Sequence, residues 1–255
     1  HTALWPHEKV DFTGQRVGVI GTGSSAIQSI PHIAREAKHL TVFQRTANYA
    51  IPAHNAPLDP ERERKVKAHY SEMRARAKTT PGGLDVVYNQ GSVHDASSKE
   101  QFAAFEHNWQ RGGLGFMSAF GDLMMEQSAN DIAANFVRDK IRATVNDPAT
   151  AETLCPKNII GAKRLCVDID YFQTYNRENV ELIDVSEKPV EAITPSGIRA
   201  HGIEHQIDAL VIATGFDAMT GALTRVDIRG RGSTPLAERW NCLLYTSPSP
   251  RDTEV

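Results

Sequence analysis

The feature that most constrains this chain lies between residues 16 and 44. Arg16-Val17-Gly18-Val19-Ile20-Gly21 is a short apolar run with the character of a strand buried on both faces. Gly21-Thr22-Gly23-Ser24-Ser25-Ala26 follows at once, and Ala26, Ile27, Ile30, Ile33, Ala34 and Ala37 then recur at the spacing of one helix face. Pro31 falls inside that helix, where it removes a backbone donor and predicts a kink or a tight early turn. Leu40-Thr41-Val42-Phe43-Gln44 reads as a second strand, which closes one strand-helix-strand unit and predicts an α/β fold with a doubly wound, Rossmann-like parallel sheet.

Gly21-x-Gly23-x-x-Ala26 sits between that strand and that helix, the context in which the pattern has a physical meaning. The first glycine permits the turn, the second lets a pyrophosphate approach the backbone, and the small third residue lets helix pack on strand. Free N–H groups at the helix start then hold the anion. A close-packed turn that binds nothing is compatible with the same residues. At the end of the second strand, an NAD-preferring site would carry an acidic residue, whereas this chain has Gln44-Arg45-Thr46. A guanidinium at Arg45 pairs with a 2′-phosphate and Thr46 adds a hydroxyl donor, so NADP(H) is the expected dinucleotide. The plain alternative for Arg45 is a solvated surface arginine.

From about residue 60 to 150 the pattern turns to charged stretches with apolar residues every three or four positions, which predicts helices over 61–78, 99–110 and 129–145 inserted between strands of the sheet. Strands are predicted again at 180–185, 191–194, 197–199, 204–207 and 208–215, with Pro195-Ser196-Gly197 as a hairpin turn. The expected division is a dinucleotide-binding domain over 1–212, a return segment over 213–240 and a non-native or disordered tail over 241–255, where periodicity is lost. The chain opens on His1 and not on methionine, and is read as an internal piece of a longer protein.

Composition narrows the partners. With 28 Lys and Arg against 31 Asp and Glu, net charge −3 and no long basic tract, nucleic acid and anionic membrane are not expected partners. Cys155, Cys166 and Cys242 form no CxxC pair and no even framework, so neither a metal site nor a redox pair is expected, and the compartment is read as cytoplasmic. His32, His39, His54, His69, His94 and His107 show no metal-like clustering.

The run Val19 to Gln28, followed by Val42-Phe43-Gln44-Arg45-Thr46, closely resembles the NADPH domain of the Baeyer-Villiger monooxygenases that act on phenylacetone and cyclohexanone. His1-x-x-x-Trp5-Pro6 is similar to the second half of their fingerprint, whose F-x-G half would lie upstream. The resemblance continues through Asn55-Ala56-Pro57-Leu58, Thr80-Pro81-Gly82-Gly83, Gly161-Ala162-Lys163-Arg164-Leu165, Tyr175 to Val180, Ala213-Thr214-Gly215-Phe216-Asp217-Ala218 and Asp227-Ile228-Arg229-Gly230. One departure precedes the Ala162-Lys163-Arg164 step, where Cys155 to Gly161 lacks the Pro-aromatic-Gly approach of the family.

The resemblance implies an NADPH- and O2-dependent FAD enzyme of the two-dinucleotide-binding kind that turns ketones into esters or lactones. Residue by residue it implies that Gly21, Thr22, Gly23, Ser24, Ser25, Ala26, Ile27 and Gln28 line the pyrophosphate, and that Arg45 and Thr46 hold the 2′-phosphate. It implies Lys163 as a second cation on that phosphate, Arg164 as the active-site arginine beside the flavin, and Thr214-Gly215 as the return toward the flavin domain. A fixed, permanently charged guanidinium suits a reaction in which negative charge builds up on oxygen. Read without the resemblance, Lys163-Arg164 is an ordinary surface pair. The FAD-binding glycine loop and a C-terminal segment that closes the flavin and substrate sites are absent from these residues, so the piece alone is expected to be inactive. Two other readings stay open: a flavin monooxygenase that oxidises nitrogen or sulfur, and a non-catalytic NADP-binding module. A stand-alone short-chain dehydrogenase is disfavoured, since no Tyr-x-x-x-Lys pair is present.

Overall fold

The computed structural model describes residues 1–80, 83, 85–86, 89–216 and 220–240. The tail expected over 241–255, and part of the 80–83 and 213–218 motifs, lie outside the described residues. The chain divides into two compact units, His1–Thr214 and Gly215–Val255.

In the first unit, β1 (Arg16–Ile20), β2 (His39–Gln44), β5 (Val180–Asp184) and β9 (Ala209–Ile212) form one parallel sheet in the order β5-β2-β1-β9. The chain steps outward from β1 through β2 to β5 and then returns to the other side of β1, so the order reverses between β1 and β9. In open parallel sheets such a reversal leaves a crevice beyond the strands' carboxyl ends, the usual seat of a ligand.

Alternation along the strands assigns the two faces. Val17, Val19, Leu40 and Val42 point into the main core, which they share with Ala26, Ile27, Ile30 and Ile33 of α1 (Ser24–Glu36). The intervening residues Phe43 and Ile20 face a second, smaller core with Ile198 and Ala200. That second face is covered by an antiparallel meander, β6 (Ala192–Ile193), β7 (Gly197–Ala200) and β8 (Ile203–Gln206), where a doubly wound sheet would carry a helix. Gly18 makes room for it, since a Cβ there would stand 3.0 Å from the Ile207 Cδ1 atom. Arg16 locks the edge by a bidentate pair with Asp208, at 3.0 Å from Nε and 2.6 Å from Nη2.

Helix α1 runs without interruption through Pro31, whose buried ring packs in the core while one i→i−4 hydrogen bond is forgone. Between the sheet strands come β3 (Ala50–Pro52), α2 (Pro60–Ala68), α3 (Tyr70–Ala77), α4 (Ser98–Arg111), a 3₁₀ stretch (Gly113–Ala119), α5 (Gln127–Thr144), α6 (Pro148–Leu154), β4 (Cys166–Asp168) and α7 (Tyr171–Thr174). The helix predicted over 61–78 is split at His69, with φ −111° and ψ 17°; neither half buries a residue, so no core contact holds them to one axis. Helix α4 opens with a full capping box, Ser97 and Glu100 each satisfying the other's backbone N–H. Helices α4 and α5 meet through Phe105, Phe116, Phe120 and Phe136, with ring centroids 5.5 to 5.9 Å apart. The parallel pair β3-β4 and helix α6 had no counterpart among the predicted elements.

In the second unit, α8 (Gly221–Thr224) and α9 (Leu236–Arg239) flank a bridge between Arg229 and Pro235. No helix of the described residues is long and apolar enough to cross a membrane.

Candidate functional site

Gly21 leaves β1 with φ +108°, and a Cβ there would come within 2.4 Å of the Ala213 carbonyl oxygen, so only glycine fits. Gly23, the N-cap of α1, is glycine for a different reason: its φ of −85° suits any residue, and apart from its chain neighbours no described atom lies within 4 Å of where its Cβ would be. That empty cradle leaves the backbone open to an approaching group. Gly23 gives no side-chain cap, and no acidic residue occupies the first turn of α1. The initial N–H groups of the helix, at Ser24, Ser25 and Ala26, therefore face outward with the positive end of the helix dipole. Loop and helix start fit a pyrophosphate on these grounds.

Thr22 is only 4% exposed and its side chain turns inward. Its hydroxyl donates to the Thr46 carbonyl at 2.8 Å, and its own carbonyl accepts from the Asn48 amide at 2.7 Å. These bonds fasten the glycine loop to the stretch after β2, which carries Arg45 and Thr46, both exposed. Among the described residues no carboxylate pairs with Arg45, so its charge is available at the rim. Ile27 plays no such outward part: its side chain is fully buried and its N–H is taken by the Gly23 carbonyl at 2.9 Å. Ala26 is likewise buried, leaving only its N–H, whereas Ser24 and Gln28 are exposed and Ser25 half-buried. Within the expected run Gly21 to Gln28, Ile27 therefore supports the loop from behind, because helical geometry consumes the fifth N–H of any helix.

Lys163 and Arg164 stand exposed in the turn before β4, and among the described residues neither makes an ion pair. They reach the same region indirectly. Cys166, two residues on, is buried and its sulfur lies 3.2 Å from the Ser24 hydroxyl in the first turn of α1. Burial pushes the Cys166 thiol up, with the Ser24 bond and the Arg164 charge acting the other way, which keeps it a neutral hydrogen-bonding partner. Asp168, at the far end of β4, is also pushed up by burial, although it accepts from the Tyr171 N–H at 3.3 Å. Thr214 is exposed just beyond Ala213, the residue that packs against Gly21. Gly215 adopts φ +90° and opens the second unit.

The structure therefore brings Gly21 to Ser25, Arg45, Thr46 and Thr214 to the carboxyl ends of adjacent strands, with Lys163 and Arg164 attached through Cys166. Sequence reasoning missed Asn48 and Cys166, whose partners lie 26 and 142 residues away. No group of His, Cys, Asp and Glu among the described residues could hold a metal ion.

Fold and site define a parallel α/β protein with an anion-receptive helix start at the point where its strand order reverses. Among its relatives is a Baeyer-Villiger monooxygenase of Pseudooceanicola batsensis, 42% identical over 94% of the chain and 44% of its own length. A 2-oxo-Δ3-4,5,5-trimethylcyclopentenylacetyl-CoA monooxygenase of Pseudomonas putida is 40% identical over 94% of the chain, which spans 46% of that protein. A cyclohexanone 1,2-monooxygenase of Acinetobacter is 41% identical over 94% of the chain and 44% of its own length. A phenazine N-monooxygenase of Lysobacter antibioticus is 36% identical with the same coverage of 94% and 44%. Among solved structures, an oxidized steroid monooxygenase bound to NADP superposes with a TM-score of 0.88 at 49% identity, over 92% of this chain and 45% of that one. A monooxygenase termed OTEMO, in complex with FAD and NADP, gives 0.88 at 40% identity over 90% and 43%. The chain thus spans about half the length of the relatives it matches. No family model matches it.

Proposed function

We propose that this chain is the NADPH-binding part of a longer Baeyer-Villiger monooxygenase, which uses NADPH and O2 to convert ketones to esters or lactones. The observation that carries the reading is the bond from Thr22 to Thr46, which joins an uncapped helix start to the stretch that carries an arginine with no ion pair among the described residues. FAD, when bound, supplies the redox chemistry that takes reducing equivalents from NADPH and transfers one oxygen atom of O2 to the ketone.

The chain's own residues bind, orient and neutralise. The N–H groups of Ser24, Ser25 and Ala26 meet the pyrophosphate, and the bare backbone of Gly23 lets it come close. Arg45 pairs with the 2′-phosphate, Thr46 donates its hydroxyl, and Lys163 adds a second cation. Thr214 and Gly215 carry the chain from the rim of the sheet toward the flavin-binding part. The Arg164 guanidinium stabilises negative charge on oxygen during transfer.

A second reading, oxidation of nitrogen in place of a ketone, draws support from the 36% identity to the phenazine N-monooxygenase. One panel separates them. The full-length protein, loaded with FAD and NADPH, is offered cyclic ketones and heteroaromatic amines; lactone formation supports the first reading, N-oxide formation without lactone the second. In the same protein Arg45→Ala should weaken NADP+ by about tenfold or more while leaving NAD+ nearly unchanged, the value of one charge-assisted bond. Equal weakening of both would remove Arg45 from the 2′-phosphate.

A further inference from the structure

Between α6 and β4 runs a segment with neither helix nor strand, residues 155–165, and it carries both Lys163 and Arg164. A cation on an unsupported loop samples many positions and meets a single phosphate poorly. The segment is not unsupported. Helix α5, from the insertion, aims two side chains at it, and Tyr49, just after the glycine-loop fastening, supplies a third.

Asn130 of α5 is 2% exposed. Its Nδ2 donates to the carbonyls of Ile160 at 2.9 Å and Leu123 at 2.8 Å, while its Oδ1 accepts from the Ile160 N–H at 3.1 Å. One amide thus satisfies both backbone groups of Ile160, a buried residue immediately before Gly161. Upstream, the Arg138 Nε donates to the Pro156 carbonyl at 2.8 Å and its Nη2 to the Tyr49 hydroxyl at 2.9 Å. That hydroxyl donates in turn to the Asn158 carbonyl at 2.9 Å. Downstream, Cys166 is fixed by its N–H to the Tyr49 carbonyl at 3.1 Å and by its contact with Ser24. The exposed residues Ala162-Lys163-Arg164, after half-buried Gly161, therefore span between two buried, hydrogen-bonded ends, Ile160 and Leu165-Cys166. Gly161, at φ +89°, starts that stretch against the Met124 sulfur, where a Cβ would clash at 2.5 Å.

We propose that Asn130 is a positioning residue, which pins Ile160 so that the short span after it holds Lys163 against the 2′-phosphate of the dinucleotide. This rests on the Lys163 role given under Proposed function. The helical insertion then has a part in cofactor choice although it contributes no residue to the cofactor rim itself.

The test is a double-variant cycle in the full-length protein, read by titration calorimetry with NADP+ and NAD+ and by thermal unfolding. Asn130→Ala should lower the preference for NADP+ over NAD+ by about fivefold or more, and Lys163→Ala by about tenfold. In the combined variant the loss should not exceed that of Lys163→Ala alone, because Asn130 acts through that lysine. A lowered melting temperature with an unchanged preference would overturn the proposal, as would a full additional loss in the combined variant. If Lys163→Ala leaves the preference intact, the Lys163 assignment fails, and the positioning role falls with it. Should Asn130→Ala fail to fold, Asn130→Asp, which keeps the acceptor for the Ile160 N–H and removes the amide donor to the Ile160 and Leu123 carbonyls, enters the same cycle with the same outcomes deciding.

Discussion

The hydroxyl of Thr22 and the carbonyl of Thr46, 2.8 Å apart, join the loop after β1 to the loop after β2. Both belong to what would be separate contacts with one ligand, so this bond fixes the distance between a pyrophosphate seat and a 2′-phosphate seat. Thr22→Val keeps the shape and removes the donor, leaving the Thr46 carbonyl with only the longer 3.4 Å contact from Asn48. We expect a loss of about 1 kcal/mol in unfolding free energy, measured by urea titration, together with a narrower NADP+ over NAD+ preference. Retained preference would show that the two seats are set independently.

The two glycines of the loop should separate cleanly. Gly21→Ala forces a Cβ against the Ala213 carbonyl at a left-handed φ and should destabilise the fold by on the order of 3 kcal/mol, seen as a drop in melting temperature. Gly23→Ala should leave melting unchanged, since nothing in the protein meets the added methyl, yet weaken dinucleotide binding. A Gly23→Ala protein that binds NADP+ normally would mean that no ligand uses that cradle.

Arg164→Ala should leave flavin content and NADPH binding near the original level and abolish oxygenated product. The check is flavin absorbance, NADPH titration and product analysis on one preparation. Ester formed at the usual yield would dismiss Arg164 from the reaction.

Asp208 is held well below the usual carboxylate range by its bonds to the Arg16 side chain and N–H. Its contribution is complete above its unfolded value near 3.8 and is lost as pH falls through the folded one. Asp168 runs the opposite way: burial raises it, so its ionisation costs stability as pH rises from about 3.8 through its folded value. Asp208→Asn should flatten the stability loss below pH about 4, whereas Asp168→Asn should remove a penalty at neutral pH and keep the acceptor for the Tyr171 N–H. A less stable Asp168→Asn at pH about 7 would contradict the buried-carboxylate account.

The unit from Arg16 to Gln44 was legible because its signals are local: apolar strand, glycines, a periodic helix face and a second strand within one stretch. The meander at 191–207 was legible for the same reason. The pair β3-β4 was not, since Ala50-Ile51-Pro52 and Cys166-Val167-Asp168 are too short to show a period and find each other across the whole helical insertion. Helix α6 did leave a mark, Asp147 before Pro148, with the Asp147 carboxylate accepting from the Thr150 N–H at 2.8 Å. In the site, Gly21, Gly23 and Arg45 could be found from position within the motif. Asn48 and Asn130 could not, because an amide is informative only through its partners, and those of Asn130 lie up to 30 residues away.

Strand β9 closes the sheet against β1, and the pair Arg16-Asp208 at that seam joins positions 192 residues apart. Closing so long a stretch of chain is slow compared with forming hairpins or single helices. The ribosome releases Gly21 early, yet the carbonyl of Ala213 that shapes its turn emerges near the end of the unit. The turn at Gly21 is therefore completed only once Ala213 is in place, and a nascent chain halted before Ala213 would display its glycine motif in full and still lack the contact that shapes the proposed dinucleotide rim.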